Sequence, residues 1–147
     1  MRVYDGYRDG DVALVRARPS LSKWMTYDHA GMIWLARGTW FTVEAGLRGI
    51  FPWKGPHWGR GFDVFRVGTP EQGEAAIDAA MTMIGKGYAF SHLLTLFPRI
   101  LRRDRVTTLG GMICTELVSW SWAQAGVLIC PGNPYPTPDE IAEWMAS

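Results

Sequence analysis

The sequence predicts an α+β domain, and three observations carry that prediction. The first half holds short apolar or alternating runs suited to strands, and the second half holds segments with helical start and stop chemistry. The chain has 147 residues, of which 48% are hydrophobic and 20% charged, enough for one well-packed core without metal or disulfide staples. We therefore expect residues 1–147 to form a single domain.

Val12 to Val15, after the polar Asp9-Gly10-Asp11, is a short apolar run fit for a buried strand. Met32 to Leu35 and Trp40 to Val43 are two more, with Ala36-Arg37-Gly38-Thr39 between them. Gly38 can supply a positive φ there, so a hairpin is expected. Gly46 to Gly61 contains five glycines and two prolines around Trp53, His57 and Trp58, and reads as a long loop. Phe62 to Val67 alternates as a fourth strand. Thr69-Pro70-Glu71-Gln72 has the chemistry of a helix start, with Thr as N-cap, Pro at the first position and Gln three after the cap. That helix should run to about Ile84, where Gly85-Lys86-Gly87 ends it. Tyr88 to Leu101 reads as partly helical, interrupted by Pro98. Gly110-Gly111 precede a helix from Met112 to Ala125, closed by Gly126, and Thr137-Pro138-Asp139-Glu140 repeats the capping signature.

Composition excludes several function classes. Lys plus Arg number 15 against 14 Asp plus Glu, so there is no whole-protein field for nucleic acid. The two cysteines, Cys114 and Cys130, form no Cys-x-x-Cys pair, which argues against a zinc ribbon or a disulfide scaffold. The opening residues lack a basic region followed by an apolar one, so no signal peptide is expected and synthesis should be cytoplasmic. No run approaches about 18 apolar residues, the length of a spanning helix. Eight tryptophans are many for this length; Trp34 and Trp122 read as core, others as candidates to line a groove. Arg99, Arg102, Arg103 and Arg105 cluster as either a solvated loop or a contact for anionic lipid or cell wall.

Cys114 falls in the first turn of the expected Met112 helix, where the macrodipole and free N–H groups favour a thiolate and can hold an oxyanion. It reads equally as a small buried hydrophobe sharing a face with Leu117, Val118 and Ser121. A nucleophilic cysteine needs a base, and there are three histidines. His57 lies in the Gly/Trp loop and His92 in a helical stretch; His29, at a strand end, is the better-held candidate. A two-residue Arg37-Gly38 turn would pair Gly31 with Glu44 and His29 with Gly46. His29 and Glu44 then share a sheet face as diagonal neighbours roughly 7 to 8 Å apart, with Gly31 leaving space for the imidazole to lean toward the carboxylate. A one-residue slip would put Glu44 on the other face. The histidines lack metal-ligand spacing, and neither a phosphate loop nor a Gly-x-Ser-x-Gly elbow is present, so no metal or other cofactor is expected.

In order, the chain carries Gly10-Asp11 leading into Val12-Ala13-Leu14-Val15, then His29-Ala30-Gly31-Met32, Thr42-Val43-Glu44-Ala45, Ile84-Gly85-Lys86-Gly87-Tyr88 and Ile113-Cys114-Thr115-Glu116-Leu117-Val118. This series resembles the circularly permuted papain-like amidases, the YiiX-like branch of the NlpC-type cysteine peptidase superfamily. Asp28 and Thr115 stand where that branch often has Ser. The resemblance implies a permuted papain-like fold, an antiparallel half-barrel packed against helices. It also implies Cys114 as nucleophile, His29 as base and Glu44 as the third, orienting residue.

The expected activity is hydrolysis of an amide in a peptide or peptidoglycan stem peptide through an acyl-enzyme, with the Cys114 backbone N–H at the oxyanion. Tyr88, Trp53 and Trp58 are candidates for lining the substrate groove. Two other readings stay open. Leu93, Leu94, Leu96 and Phe97 beside the arginines suit a lipid-directed acyltransferase or thioesterase with the same triad, and a decayed site would leave a binding module. With no signal peptide expected, reaching a cell-wall substrate would need a phage or a non-classical export route.

Overall fold

Eight elements order the described part of this computed structural model, which covers residues 6–46, 49–84, 109–133 and 136–147. They are β1 (Val12–Arg16), β2 (Tyr27–Ala36), β3 (Thr39–Gly46), β4 (Gly49–Lys54), β5 (Phe62–Phe65), α1 (Pro70–Thr82), α2 (Leu109–Gln124) and α3 (Pro138–Ala146). The strands form one antiparallel sheet in the order β4-β3-β2-β1-β5, giving a mixed domain of five strands and three helices among the described residues.

The β2–β3 hairpin turns through Arg37 and Gly38, both at positive φ (51° and 74°), the requirement of a two-residue type I′ turn. Its twist sets Met32 opposite Val43 and Ile33 opposite Thr42, the register expected from the turn. Val12, Leu14, Ala30, Met32, Val43, Ala45 and Ile50 face one way. They bury against Ala76, Ile77 and Ala80 of α1, Leu117, Val118 and Trp122 of α2, and Ile141 of α3.

The expected loop from Gly46 to Gly61 is half strand. Gly49, at φ +113°, pairs with Gly46, and pairing continues to Lys54 opposite Phe41. Proline signals a loop because it cannot donate to a ladder, but β4 is an edge strand, where Pro52 is tolerated on the solvent side. The chain leaves the sheet at this edge and re-enters at the opposite edge as β5. Four strand spacings of about 4.8 Å make a span of roughly 19 Å. The seven residues 55–61 reach about 25 Å at full extension, long enough to cross it. They cross the face away from the helices: Gly55 N–H donates to the Trp40 carbonyl (3.2 Å), and Trp58 and Trp40 both pack on Phe62. A Cβ on Gly55 would lie 2.2 Å from the Trp40 ring, so only glycine lets the backbone pass there.

The helices start as their caps dictate. Thr69 with Gln72 and Thr137 with Glu140 form complete capping boxes. The Asp139 carboxylate accepts from the N–H groups of Thr26 and Tyr27 (3.0 and 2.8 Å), tying α3 to the start of β2. α1 sits directly on the turn before β1: a Cβ on Gly73 would come within 2.2 Å of the Asp9 carbonyl oxygen. Gly10-Asp11 is thus a structural pair. Gly10 accepts from Trp122 Nε1 (3.1 Å), and buried Asp11 is bonded by Arg8 N–H and paired with Arg66. The expected segment from Tyr88 to Leu101, His92 and the cluster Arg99, Arg102, Arg103 and Arg105 lie outside the described residues.

Candidate active site

The hairpin register puts His29 of β2 and Glu44 of β3 on the face crossed by residues 55–61, and their side chains meet: His29 Nε2 is hydrogen-bonded to Glu44 Oε1. Gly31 makes this possible differently from the sequence expectation. A Cβ there would lie 2.9 Å from Glu44 Cγ, so the missing side chain makes room for the arm of the carboxylate rather than for the imidazole.

Glu44 accepts from four donors. Oε1 takes His29 Nε2 and Trp58 Nε1 (2.9 Å); Oε2 takes Thr42 Oγ1 (2.5 Å) and His57 Nε2. Burial pushes the Glu44 carboxyl up, but the hydrogen bond and charge of His29, with the Thr42 and Trp58 donors, bring it down to about 2. The His29 imidazole feels the opposite balance. Burial pushes it down, and the charge and hydrogen bond of Cys114, followed by those of Glu44, carry it up to about 10. His29 is thus bonded to Glu44 through Nε2, and the Cys114 sulfur lies close enough to bear on its charge.

Cys114 is fully buried in the helix-side core, where the Ala30 N–H donates to its Sγ (3.3 Å). Helix α2 begins at Leu109, three residues before the expected start, so Cys114 is its sixth residue rather than one in the first turn. Its own N–H is therefore taken up by the carbonyl four residues back and is not a free oxyanion donor. The donor that reaches the sulfur comes from near the start of β2, the Ala30 N–H, next in the chain to His29.

A cavity of about 320 Å³ opens over this cluster, with His29, Glu44 and His57 at its polar side and Gly46, Gly49, Phe51 and Trp53 as its walls. Trp53, half exposed, stacks on His57 with ring centroids 5.1 Å apart and 19° between planes. Trp58 is placed otherwise than as a groove wall: it bonds Glu44 and meets the His29 ring edge-on. Tyr88 lies outside the described residues. Of the tryptophans expected in the core, Trp122 is buried and Trp34 is half-buried against Phe41.

From the sequence, His57 reads as a loop histidine less firmly held than His29, and Arg60 is not singled out. Arg60 Nη1 contacts both Asp28 oxygens at 2.7 Å and the Arg16 carbonyl at 2.9 Å, anchoring the end of the crossing segment beside His29. The signal for both residues was the topology: only a strand order that forces 55–61 over the sheet brings them to the site. Among the described residues no cluster of His, Cys, Asp or Glu is arranged to hold a metal ion, and no helix is long and apolar enough to cross a membrane. No protein-family model matches the chain, and no curated protein matches it significantly.

Proposed function

We propose that the protein is a cysteine-dependent hydrolase of the permuted papain-like type, acting on an amide in a peptide or peptidoglycan stem peptide. The observation that carries this reading is the His29 imidazole bonded to the buried Glu44 carboxylate at the edge of a cavity, with the Cys114 sulfur accepting from the N–H of the next residue, Ala30. In this reading His29 takes the thiol proton and the thiolate attacks the carbonyl carbon. As the C–N bond breaks, the same imidazole gives the proton to the leaving amine. Water then attacks the thioester, His29 accepts its proton, and the acid departs as the thiol is restored. Glu44 holds the imidazole in one orientation and stabilises its charged form. Because Cys114 is fully buried, attack requires the sulfur to become accessible to the carbonyl, and the oxyanion is met by a donor other than the Cys114 N–H.

The test is alkylation of Cys114 by iodoacetamide at pH 6, with Cys130→Ser in every variant to remove the second thiol. His29→Ala should slow it roughly tenfold or more, because the imidazole no longer takes the proton. Equal rates with and without His29 would overturn the reading. A large difference directs a screen of peptide, peptidoglycan and acyl substrates.

A further inference from the structure

We propose that His57 is a second histidine of this site, a positioning residue whose Nε2–H fixes the Glu44 carboxylate in place for His29. The proposal rests on the hydrolase reading for the use made of His29, and on independent geometry for His57. A carboxylate offers about four lone-pair sites, two on each oxygen. In Glu44 all four are engaged, and the pair on Oε2 belongs to Thr42 and His57. With Thr42 alone on Oε2, a turn of the carboxylate about its terminal bond gives up one hydrogen bond on that oxygen. With His57 added, the same turn gives up two there, besides those of His29 and Trp58 on Oε1.

The segment that carries His57 is fixed at both ends, by Gly55 under Trp40 and by Arg60 on Asp28, which argues against a mere surface contact. Its ring stacks on Trp53 and packs, tilted by 41°, against Trp58, with centroids 5.1 Å from each, contacts that restrict its rotation away from Glu44. Of the three donors besides His29, it alone also lines the cavity. Only the Nε2-protonated tautomer, or the imidazolium, can donate this bond.

Two measurements test the assignment. In a Cys130→Ser background, His57→Phe keeps a ring between the tryptophans but removes the donor; His57→Gln restores an N–H donor. Iodoacetamide should alkylate Cys114 about tenfold more slowly in the Phe variant, the size expected for one hydrogen bond to a charged group, and the Gln variant should recover most of the loss. Long-range proton–nitrogen NMR of the unsubstituted chain should show His57 protonated at Nε2, with that signal moving in Glu44→Gln. Wild-type alkylation in His57→Phe, no recovery in His57→Gln, or a His57 proton on Nδ1 alone each overturns the proposal. If the Phe variant does not fold, the NMR signature decides. The His29→Ala control separates the failures: no effect there sinks the hydrolase reading, whereas an effect there with none at His57 sinks only this inference.

Discussion

Replacing Glu44 by Gln keeps the side chain's size and removes its charge, so it isolates what the carboxylate does. A carboxyl brought from 4.5 to about 2 is held in its charged form by about 3 kcal/mol, at roughly 1.4 kcal/mol for each tenfold change in proton affinity. Glu44 is only 6% exposed, so solvent screens little of this. In Gln one oxygen becomes an NH₂ group, which turns a donor toward two of the four donors that now converge on the carboxylate. At pH 7 the variant should therefore lose about 3 kcal/mol, which lowers the Tm of a chain this size by roughly 6 to 12 °C. The sign of the pH dependence follows from the lowered folded value. The carboxylate's contribution is complete above 4.5 and is lost as pH falls through about 2, so at pH 3 the gap between wild type and variant should shrink to less than half its pH 7 size. His29 acts in the other direction. Its raised value gives stability that is whole below 6.5 and lost as pH rises through about 10, so the gap should narrow again above that pH. Urea unfolding of both proteins at pH 3, 7 and above 10 measures all three. A gap at pH 7 below about 1 kcal/mol, or one that does not shrink at pH 3, would refute the electrostatic account of the cluster.

Two further substitutions probe the scaffold and the second thiol. Gly31→Ala would drive a Cβ to 2.9 Å from Glu44 Cγ and 3.5 Å from Thr42 Cβ; overpacking of this kind costs about 1 to 3 kcal/mol, and Cys114 alkylation should slow as Glu44 is displaced. Unchanged urea stability and alkylation in that variant would show that Gly31 is not what makes room for the carboxylate. Burial, with the Glu140 and Glu143 carboxylates nearby, pushes the Cys130 thiol up from its ordinary 9.0. In a Cys114→Ser variant, labelling of Cys130 should therefore keep rising above pH 9, and a plateau below that pH would contradict the burial argument.

Features written over a few neighbouring residues were legible in the sequence. The Arg37-Gly38 turn sets the β2–β3 register because its two positive φ values and the strand twist must match, and that register alone puts His29 and Glu44 on one face. The boxes at Thr69 and Thr137 start α1 and α3 through bonds spanning three residues. Helices α1 and α3 start at their caps, whereas Gly110-Gly111, which look like a boundary in the sequence, are absorbed into α2, which begins at Leu109. A one-turn error of this kind decides whether the Cys114 N–H is free, and propensity is too weak to resolve it against tertiary packing.

What only the tertiary structure decided comes from strand order. Proline makes Pro52 look like loop until β4 is known to be an edge, and nothing local says which strand is an edge. The same order sends residues 55–61 across the sheet, and so delivers His57 and Trp58 to Glu44 and Arg60 to Asp28. Those contacts join residues 13 to 32 positions apart in the chain. Local propensity carries no information about such pairs; they follow from the geometry of closing a sheet over itself. Sequence alone thus determined the local pairing of His29 with Glu44, whereas the fold determined how many groups hold that carboxylate and how deeply Cys114 lies beneath it.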